Sequence, residues 1–378
     1  MSKVNISLVG GQPMPVYVGL EIDKYDIYLL VHSPESKSEA EKIKENSENK
    51  FVFYELSPVD YPVIWKEIED ILMKYQNDDV YVNISGGTKP WTVAFVTMSV
   101  KYDNVHAFYI DQNNVYYDMD TKTRKQIESI DWETATILKY NNQNGFSRTL
   151  LTDYTSDDLL ALKHVKEARM WNYDDFNALT IPSGKDKKWK NILENDSEPE
   201  KFLETGSFVT FNKKEQTVYL EIFNKRKGLH HWLLKGPHVG EIIFNSGWFE
   251  YEVAMMLSRW HYSKEIWLDV KFPYVGGKAK NEIDIIVNTG GKLLFVECKT
   301  SIYNNTDIDK FNNAVRNYGG MGCKALFVTE YKFNFESLQK CQDSGIMFFT
   351  IKDKSKKNRN ENELFDMLDN EIKNINKR

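Results

Sequence analysis

The apolar positions of this chain change rhythm along its length. Over residues 1–117 the short apolar runs VNISLV, YDIYLLV, FVFYEL, VYVNIS and VHAFYI alternate with segments of helical period such as SEAEKIKENS, VIWKEIEDILMKY and TVAFVTMSVKY. Strand and helix in strict alternation build a parallel sheet covered on both sides, a doubly wound α/β arrangement. The expected strand order is 3-2-1-4-5, with ligands bound at the carboxyl ends of the strands beside the point where the order reverses. From about residue 145 the pattern is mixed. SDDLLALKHVKEARMWN is helical in period, a polar loop surrounds Ile181-Pro182-Ser183-Gly184, and SFVTF, QTVYLEIF and HHWLLKG alternate like strands of a small sheet. That sheet is either a connector or, being close in sequence to the helix EVAMMLSRW, the start of the domain that follows. Two strand-like runs then flank an Asn-Thr-Gly-Gly turn in EIDIIVNTGGKLLFVECK, followed by the strand KALFVT and a closing helix around LFDMLDNEI. The expected organisation is an α/β unit over 1–145, a connecting region over 146–244 that includes the start of the domain after it, and a second α/β domain over 245–378.

Two loops of the first unit stand out. Gly10-Gly11-Gln12-Pro13-Met14-Pro15 follows the first strand and Ser85-Gly86-Gly87-Thr88-Lys89-Pro90 follows the fourth. Glycines let backbone amides approach an anion, and a proline at a helix start sacrifices no hydrogen bond because that N–H has no intrahelical partner. Lys89 adds positive charge at the same rim. The 3-2-1-4-5 order sets these loops face to face, which predicts an anion pocket between them. Neither loop is a Walker A motif or a dinucleotide fingerprint, so NTP hydrolysis and hydride transfer lose support.

The hairpin over 282–299 delivers Asp284, Glu297 and Lys299. Pairing symmetrically about Thr289 and Gly290 would set Asp284 opposite Phe295, and period-two alternation puts Phe295, Glu297 and Lys299 on that same face. A merely solvated strand face also carries charges at alternate positions. Here the partner face is strongly apolar (Ile283, Ile285, Val287, Leu294, Val296), as expected at the lip of a cleft. Diagonal neighbours lie roughly 7–8 Å apart, so both carboxylates can lean onto one divalent cation. Upstream, Gly247-Trp248-Phe249-Glu250-Tyr251-Glu252 opens a helix that offers a further carboxylate.

Composition narrows the setting. At 378 residues the chain exceeds the size at which single cores usually stop growing, and 41% hydrophobic with 28% charged residues is an ordinary globular balance. The formal charge of −6 means that any phosphate-binding surface is local, at Lys185–Lys190 with Trp189 among them, Lys213-Lys214, Lys225–Lys227 or Lys352–Arg359. Three cysteines, Cys298, Cys323 and Cys341, without a C-x-x-C pair, fit a reducing compartment and argue against a disulfide framework or a structural zinc site. His230 and His231 form no ligand set. The absence of a signal pattern or an apolar run near 18 residues predicts a cytoplasmic protein without a membrane span.

Helix carboxylate, strand Asp, then Glu-x-Lys is an order that resembles the PD-(D/E)xK nuclease superfamily. Glu250, in preference to Glu252, stands as the helix acid and Ile283 replaces the usual Pro before the motif Asp. With the Gly-rich first loop and Ile-Ser-Gly-Gly-Thr-Lys after the fourth strand, the chain resembles CARF (CRISPR-associated Rossmann fold) nucleases of type III CRISPR systems. The resemblance covers roughly residues 1–145 and 245–350. It implies an endonuclease activated by a cyclic oligoadenylate, typically cyclic tetra-adenylate, with Glu250, Asp284 and Glu297 holding Mg²⁺ or Mn²⁺ and Lys299 beside them. It also implies ligand contacts from Gly10, Gly11, Gln12, Pro13, Ser33, Ser85, Gly86, Gly87, Thr88 and Lys89. A two-fold symmetric ligand then calls for a homodimer. The substrate, DNA or RNA, stays open because such sites read the phosphate and not the base; a constitutive restriction or repair nuclease is the rival reading.

Overall fold

The computed structural model describes residues 1–111, 114–127, 130–141, 143–181, 200–244, 246–273, 279–300, 305–320, 323–331, 334–352 and 361–373. The basic stretch at 185–190 with Trp189, the loop at 182–184 and most of 352–359 lie outside those residues. Strands β1 (Lys3–Leu8), β2 (Ile27–His32), β3 (Phe51–Glu55), β4 (Asp79–Asn83) and β5 (Val105–Ile110) form a parallel sheet in the expected order 3-2-1-4-5. Beyond β5 the antiparallel strands β6 (Val115–Asp118) and β7 (Arg124–Gln126) extend it to seven. Val4, Ile6 and Leu8 alternate into a core with Ile64, Ile68, Trp91 and Phe95 from the covering helices Tyr61–Lys74 and Lys89–Lys101. The helix Met14–Glu21 covers the other side, together with Lys37–Glu45.

The remaining strands build two sheets. β9 (Glu200–Phe202), β10 (Phe208–Asn212), β11 (Thr217–Asn224) and β12 (Gly228–Lys235) make an antiparallel sheet of four. β8 (Ser147–Leu150), β13 (Glu265–Pro273), β14 (Ala279–Asn288), β15 (Leu293–Lys299), β16 (Lys324–Tyr331) and β17 (Met347–Lys352) make a mixed sheet in the order 17-16-15-14-13-8. Val165 of the helix Ser156–Trp171, Ile222 of β11, Val253 of the helix Gly247–Leu257 and Val287, Val296 and Leu326 of the large sheet share one core. The region after residue 145 is therefore packed into the second half of the molecule. Arg169 fixes that packing, donating from both terminal nitrogens to Glu330 at 3.0 and 2.8 Å while its guanidinium lies 3.8 Å from the centre of the Trp248 ring. No helix among the described residues is long and apolar enough to cross a membrane.

The hairpin differs from expectation in two respects. Its turn closes through Thr289 N–H donating to the Lys292 carbonyl, and the register pairs Ile286 with Phe295 and Ile285 with Val296. The symmetric pairing of Asp284 with Phe295 is thus wrong by two residues; continuing the observed register by one residue brings Asp284 level with Glu297. A shift of two preserves parity, so the charged residues keep their side of the strand. Second, neither face is open. Ile285, Val287, Leu294 and Val296 enter one core, whereas Ile283, Ile286, Leu293 and Phe295 enter the other. Ile283 does not stay with Ile285 because alternation breaks at Asp284, opposite the place where Asp269 takes a left-handed φ of 50° in β13.

Burial raises the proton affinity of Glu330, but Arg169 and Lys352 outweigh it and hold the carboxyl below its ordinary range. Its contribution to stability is present above the unfolded carboxyl value and lost as pH falls through the folded one. Glu330→Ala, which leaves Arg169 buried and unpaired, should lower stability by about 3–5 kcal/mol, measured by urea unfolding at neutral pH.

Candidate functional site

The open end of the β14–β15 hairpin collects the charges that its turn keeps away. Asp284 is 7% exposed and accepts the Cys298 backbone N–H at 2.7 Å. Lys299 Nζ stands 2.6 Å from Glu297 and 3.4 Å from Asp284, so one ammonium is shared by two carboxylates. Glu250 reaches the same centre from the helix Gly247–Leu257. A methyl group at Gly247 would collide with the Glu241 carbonyl, so this glycine lets the helix start against its predecessor, Val239–Ile243. Glu252 turns the other way and pairs with Lys166 at 2.7 Å.

Electrostatics bind these groups together. Glu250 is held well above the carboxylate range, first by burial and then by the Asp284 charge, and Asp284 is raised by burial against the pull of Lys299. Burial and the Asp284 charge push Glu297 up to about 8. Burial alone would lower Lys299, but Asp284 and Glu297 raise it above the lysine range, so it stays charged. Asp269 and Glu282, which the sequence pattern did not single out, join the cluster. Glu282 is pushed up to about 7 by loss of water and by its hydrogen bond with Asp269, and Asp269 pairs with Lys271 at 2.7 Å. Only the irregularity in β13, where pairing with β8 also slips between Leu268 and Lys271, brings Asp269 here; positive φ at a non-glycine strand residue is a frequent companion of functional sites.

Hard carboxylate oxygens and an excess of negative charge suit Mg²⁺ or Mn²⁺. The side chains as they stand do not form a ready ligand cage: no group of three or more acidic, His or Cys side chains among the described residues is arranged to hold a metal. Lys299 lies between the two strand carboxylates instead. The donor chemistry fits a divalent cation, and its entry would relieve the raised proton affinities.

In the first sheet the two Gly-rich loops meet. A Cβ on Gly10 would lie 2.9 Å from Gly87 N, one on Gly86 would collide with the Leu8 carbonyl, and Gly87 has φ of 73°. Gln12, Gly11 and Lys89 are exposed at this rim. Thr88 precedes the helix Lys89–Lys101, and its hydroxyl oxygen, shielded from solvent, has no hydrogen-bond partner among the described residues. Ser85 is committed internally, its hydroxyl donating to Asn83 at 2.6 Å and accepting from Ile110 N–H at 2.7 Å. Ser33 is buried in a turn with Ser36, and Pro13 is a buried helix cap.

Residues 4–140 match the sequence profile of the Card1 CARF domain. The amino-terminal unit is a CARF domain. Among solved structures, the whole chain is similar to Can2 from Sulfobacillus thermosulfidooxidans in complex with cyclic tetra-adenylate. The identity is 16% and the TM-score 0.64, over 98% of this chain and 99% of that one. It is also similar to protein VC1899 from Vibrio cholerae, at 12% identity and TM-score 0.68 over 98% and 97% of the two chains. A type III CRISPR defence DNA nuclease activated by cyclic oligoadenylate matches at 16% identity and TM-score 0.50, over 88% of this chain and 46% of that one. At such identities the likeness is one of fold. A search of curated protein sequences gave no match.

The end of the CARF domain is bonded to the hairpin turn. Trp132 N–H donates to the Gly290 carbonyl at 2.7 Å, and Asn288 Nδ2 donates to the Trp132 carbonyl at 2.7 Å. Thr134 donates from its N–H and its hydroxyl to Glu265 at the start of β13. Met14, from the first Gly-rich loop, lies in the same core cluster as Trp267, Val270 and Phe272, the residues of β13 that flank Asp269.

Two outcomes are expected. The folded protein holds a proton on Glu297 up to about pH 8 where the unfolded chain releases it near 4.5. That group's contribution is therefore full below the unfolded value and lost as pH rises through the folded one. In chelator-treated protein the melting temperature should fall from about pH 5 to about pH 8, and Glu297→Gln should flatten the fall and melt several degrees higher at the alkaline end. Separately, Gly86→Ala should lose about 1–3 kcal/mol in urea unfolding, while Gly11→Ala, whose Cβ meets nothing within 4 Å, should leave stability unchanged.

Proposed function

We propose that this protein is a metal-dependent endonuclease of type III CRISPR defence, switched on by a cyclic oligoadenylate bound at its CARF domain. Cyclic tetra-adenylate is the activator favoured by the resemblance of the Gly-rich loops, and a two-fold homodimer is the assembly that such a ligand calls for. The observation that carries the reading is the Glu250, Asp284, Glu297 and Lys299 centre, with Asp284 buried and the other three half-buried, set at the open end of a hairpin whose turn is bonded to the CARF domain. Glu250, Asp284 and Glu297 would hold Mg²⁺ or Mn²⁺, which supplies Lewis acidity towards a phosphodiester when bound.

The chain's own residues account for the rest. Lys299, kept charged by its two carboxylates, donates to the phosphoryl oxygens as negative charge builds there, an effect usually worth a few kcal/mol from one placed group. Its ammonium has to leave Glu297 or Asp284 in part to do so. Gly11, Gln12, Thr88 and Lys89 offer backbone amides, an unpartnered hydroxyl and a cation to the anionic ligand, at the amino end of a helix where anions are favoured. Coupling follows from shared elements: movement of the loop at Met14 or of residues 130–134 is passed to β13 and the β14–β15 turn, and the ligand shifts the population towards the aligned centre. The substrate class is nucleic acid, single-stranded DNA or RNA, with nicking of supercoiled duplex as a further form.

The test is cleavage of labelled single-stranded DNA, RNA and supercoiled plasmid in Mn²⁺, with and without cyclic tetra-adenylate. Cleavage should require the messenger. Asp284→Asn and Glu297→Gln should each lower the rate by about 100–1,000-fold or more and leave messenger binding intact. Lys89→Ala should raise the messenger concentration for half-activation roughly 10-fold or more, whereas Thr134→Val should preserve messenger affinity and lower the maximal rate several-fold. Equal cleavage with and without messenger would remove the gate and leave a constitutive nuclease; no cleavage under any condition would remove the nuclease itself.

A further inference from the structure

The outer face of the small sheet β9–β12 belongs to neither site. Its inner face is closed, with Val209, Val218, Leu220 and Ile222 fully buried. Alternation turns the intervening residues to the outside. A face exposed to water is expected to be polar, and this one carries several large apolar side chains among its polar ones. Phe202, Leu229 and Leu233 are 65%, 52% and 49% exposed. One ring from each strand continues across the sheet: Phe202 on β9, Phe208 on β10, Tyr219 on β11 and His231 on β12, with successive centroids 5.3, 5.5 and 6.0 Å apart.

Basic turns lie on the two sides of this aromatic row, at opposite ends of the strands it crosses. Lys213-Lys214 lies in the turn from β10 to β11, and Lys225-Arg226-Lys227 in the turn from β11 to β12. Residues 200–236 carry seven Lys or Arg against four Glu, although the chain as a whole has a formal charge of −6. Lys227 lies over the Trp171 ring, and Glu221 sits among the rings with its carboxylate accepting from the Tyr219 hydroxyl at 2.9 Å. Rings flanked by cations suit a polymer with flat apolar bases on an anionic backbone. A second copy of the same face suits them less, because two-fold pairing would bring like-charged turns together.

We infer that the outer face of β9–β12 is a platform for an unpaired nucleic-acid strand. Its bases stack on Phe202, Phe208 and Tyr219, and its phosphates run between the Lys213-Lys214 and Lys225–Lys227 turns. Bases in a duplex are already stacked and cannot lie on these rings, so the platform selects single strands. The inference rests on the nuclease reading only for what the strand is used for: it holds the strand that the carboxylate centre cuts.

The experiment uses the full chain carrying Glu297→Gln, in chelator, with fluorescent oligothymidylate, oligouridylate and a duplex of equal length, read by anisotropy. Both single strands should bind more tightly than the duplex. Phe202→Ala and Tyr219→Ala should each weaken binding by about 5–150-fold, the range of one stacked base. Lys213→Glu with Lys214→Glu should flatten the salt dependence, and melting temperature should be unchanged throughout. Undiminished affinity in Phe202→Ala and Tyr219→Ala would overturn the platform. So would light scattering in which these substitutions split an oligomer, since the face would then join copies of the chain. With Glu297 restored, face variants that cut the strand at the wild-type rate would sink the platform and leave the nuclease. Loss of binding in the variants, beside a wild type that never cuts, would sink the nuclease and keep the platform.

Discussion

Lys299 is the only cation in direct contact with Asp284 and Glu297 among the described residues, and much of the second domain is arranged around that fact. Burying several carboxylates within reach of each other costs free energy unless protons or cations neutralise them. The chain meets this in part through the lysine and the Cys298 N–H, and in part through the raised proton affinities of Glu250, Asp284 and Glu297. The centre is thus held in tension: it is covered by two cores and remains short of positive charge. A divalent cation is the species that such a deficit favours, and ease of binding it is the reverse side of instability without it.

That tension is tolerable because the surrounding scaffold is stiff. The hairpin β14–β15 lies inside a sheet covered on both faces, with its apolar residues divided between two clusters. The helix bearing Glu250 is fixed by Gly247 against Glu241 on one side and by the Arg169, Trp248 and Glu330 stack on the other. The kink at Asp269 is the exception to regular geometry, and it adds one more carboxylate to the cleft.

The same hairpin connects the two halves of the molecule. Its turn is bonded to residues 132–134, and its open end carries the acids. A rigid element held at both ends transmits small displacements, because packed cores change between discrete arrangements rather than deforming freely. The CARF domain and the carboxylate centre are therefore mechanically adjacent although their ligand loops and acids are far apart in sequence.

Local periodicity was enough for the strand order of the first sheet, the Gly-rich loops at its switch point, and the convergence of Asp284, Glu297 and Lys299, because a period of two survives a register error of two residues. Residues two apart on a helix point to nearly opposite sides, so Glu250 and Glu252 could not both face the centre; packing set Glu250 beside Asp284 and Glu252 against Lys166. Long-range packing decided everything that depends on which segments meet. Asp269 came beside the centre through a left-handed kink that no alternation rule contains, with Glu282 bonded to it from β14, Ile283 changed sides at that kink, and Ser85 was drawn inward by Asn83 and Ile110. The small sheet joined the second core through contacts separated by many tens of residues. Sequence alone determined the chemistry available on each element; only the tertiary structure decided which of those groups are buried together, because burial and charge crowding are properties of neighbours in space.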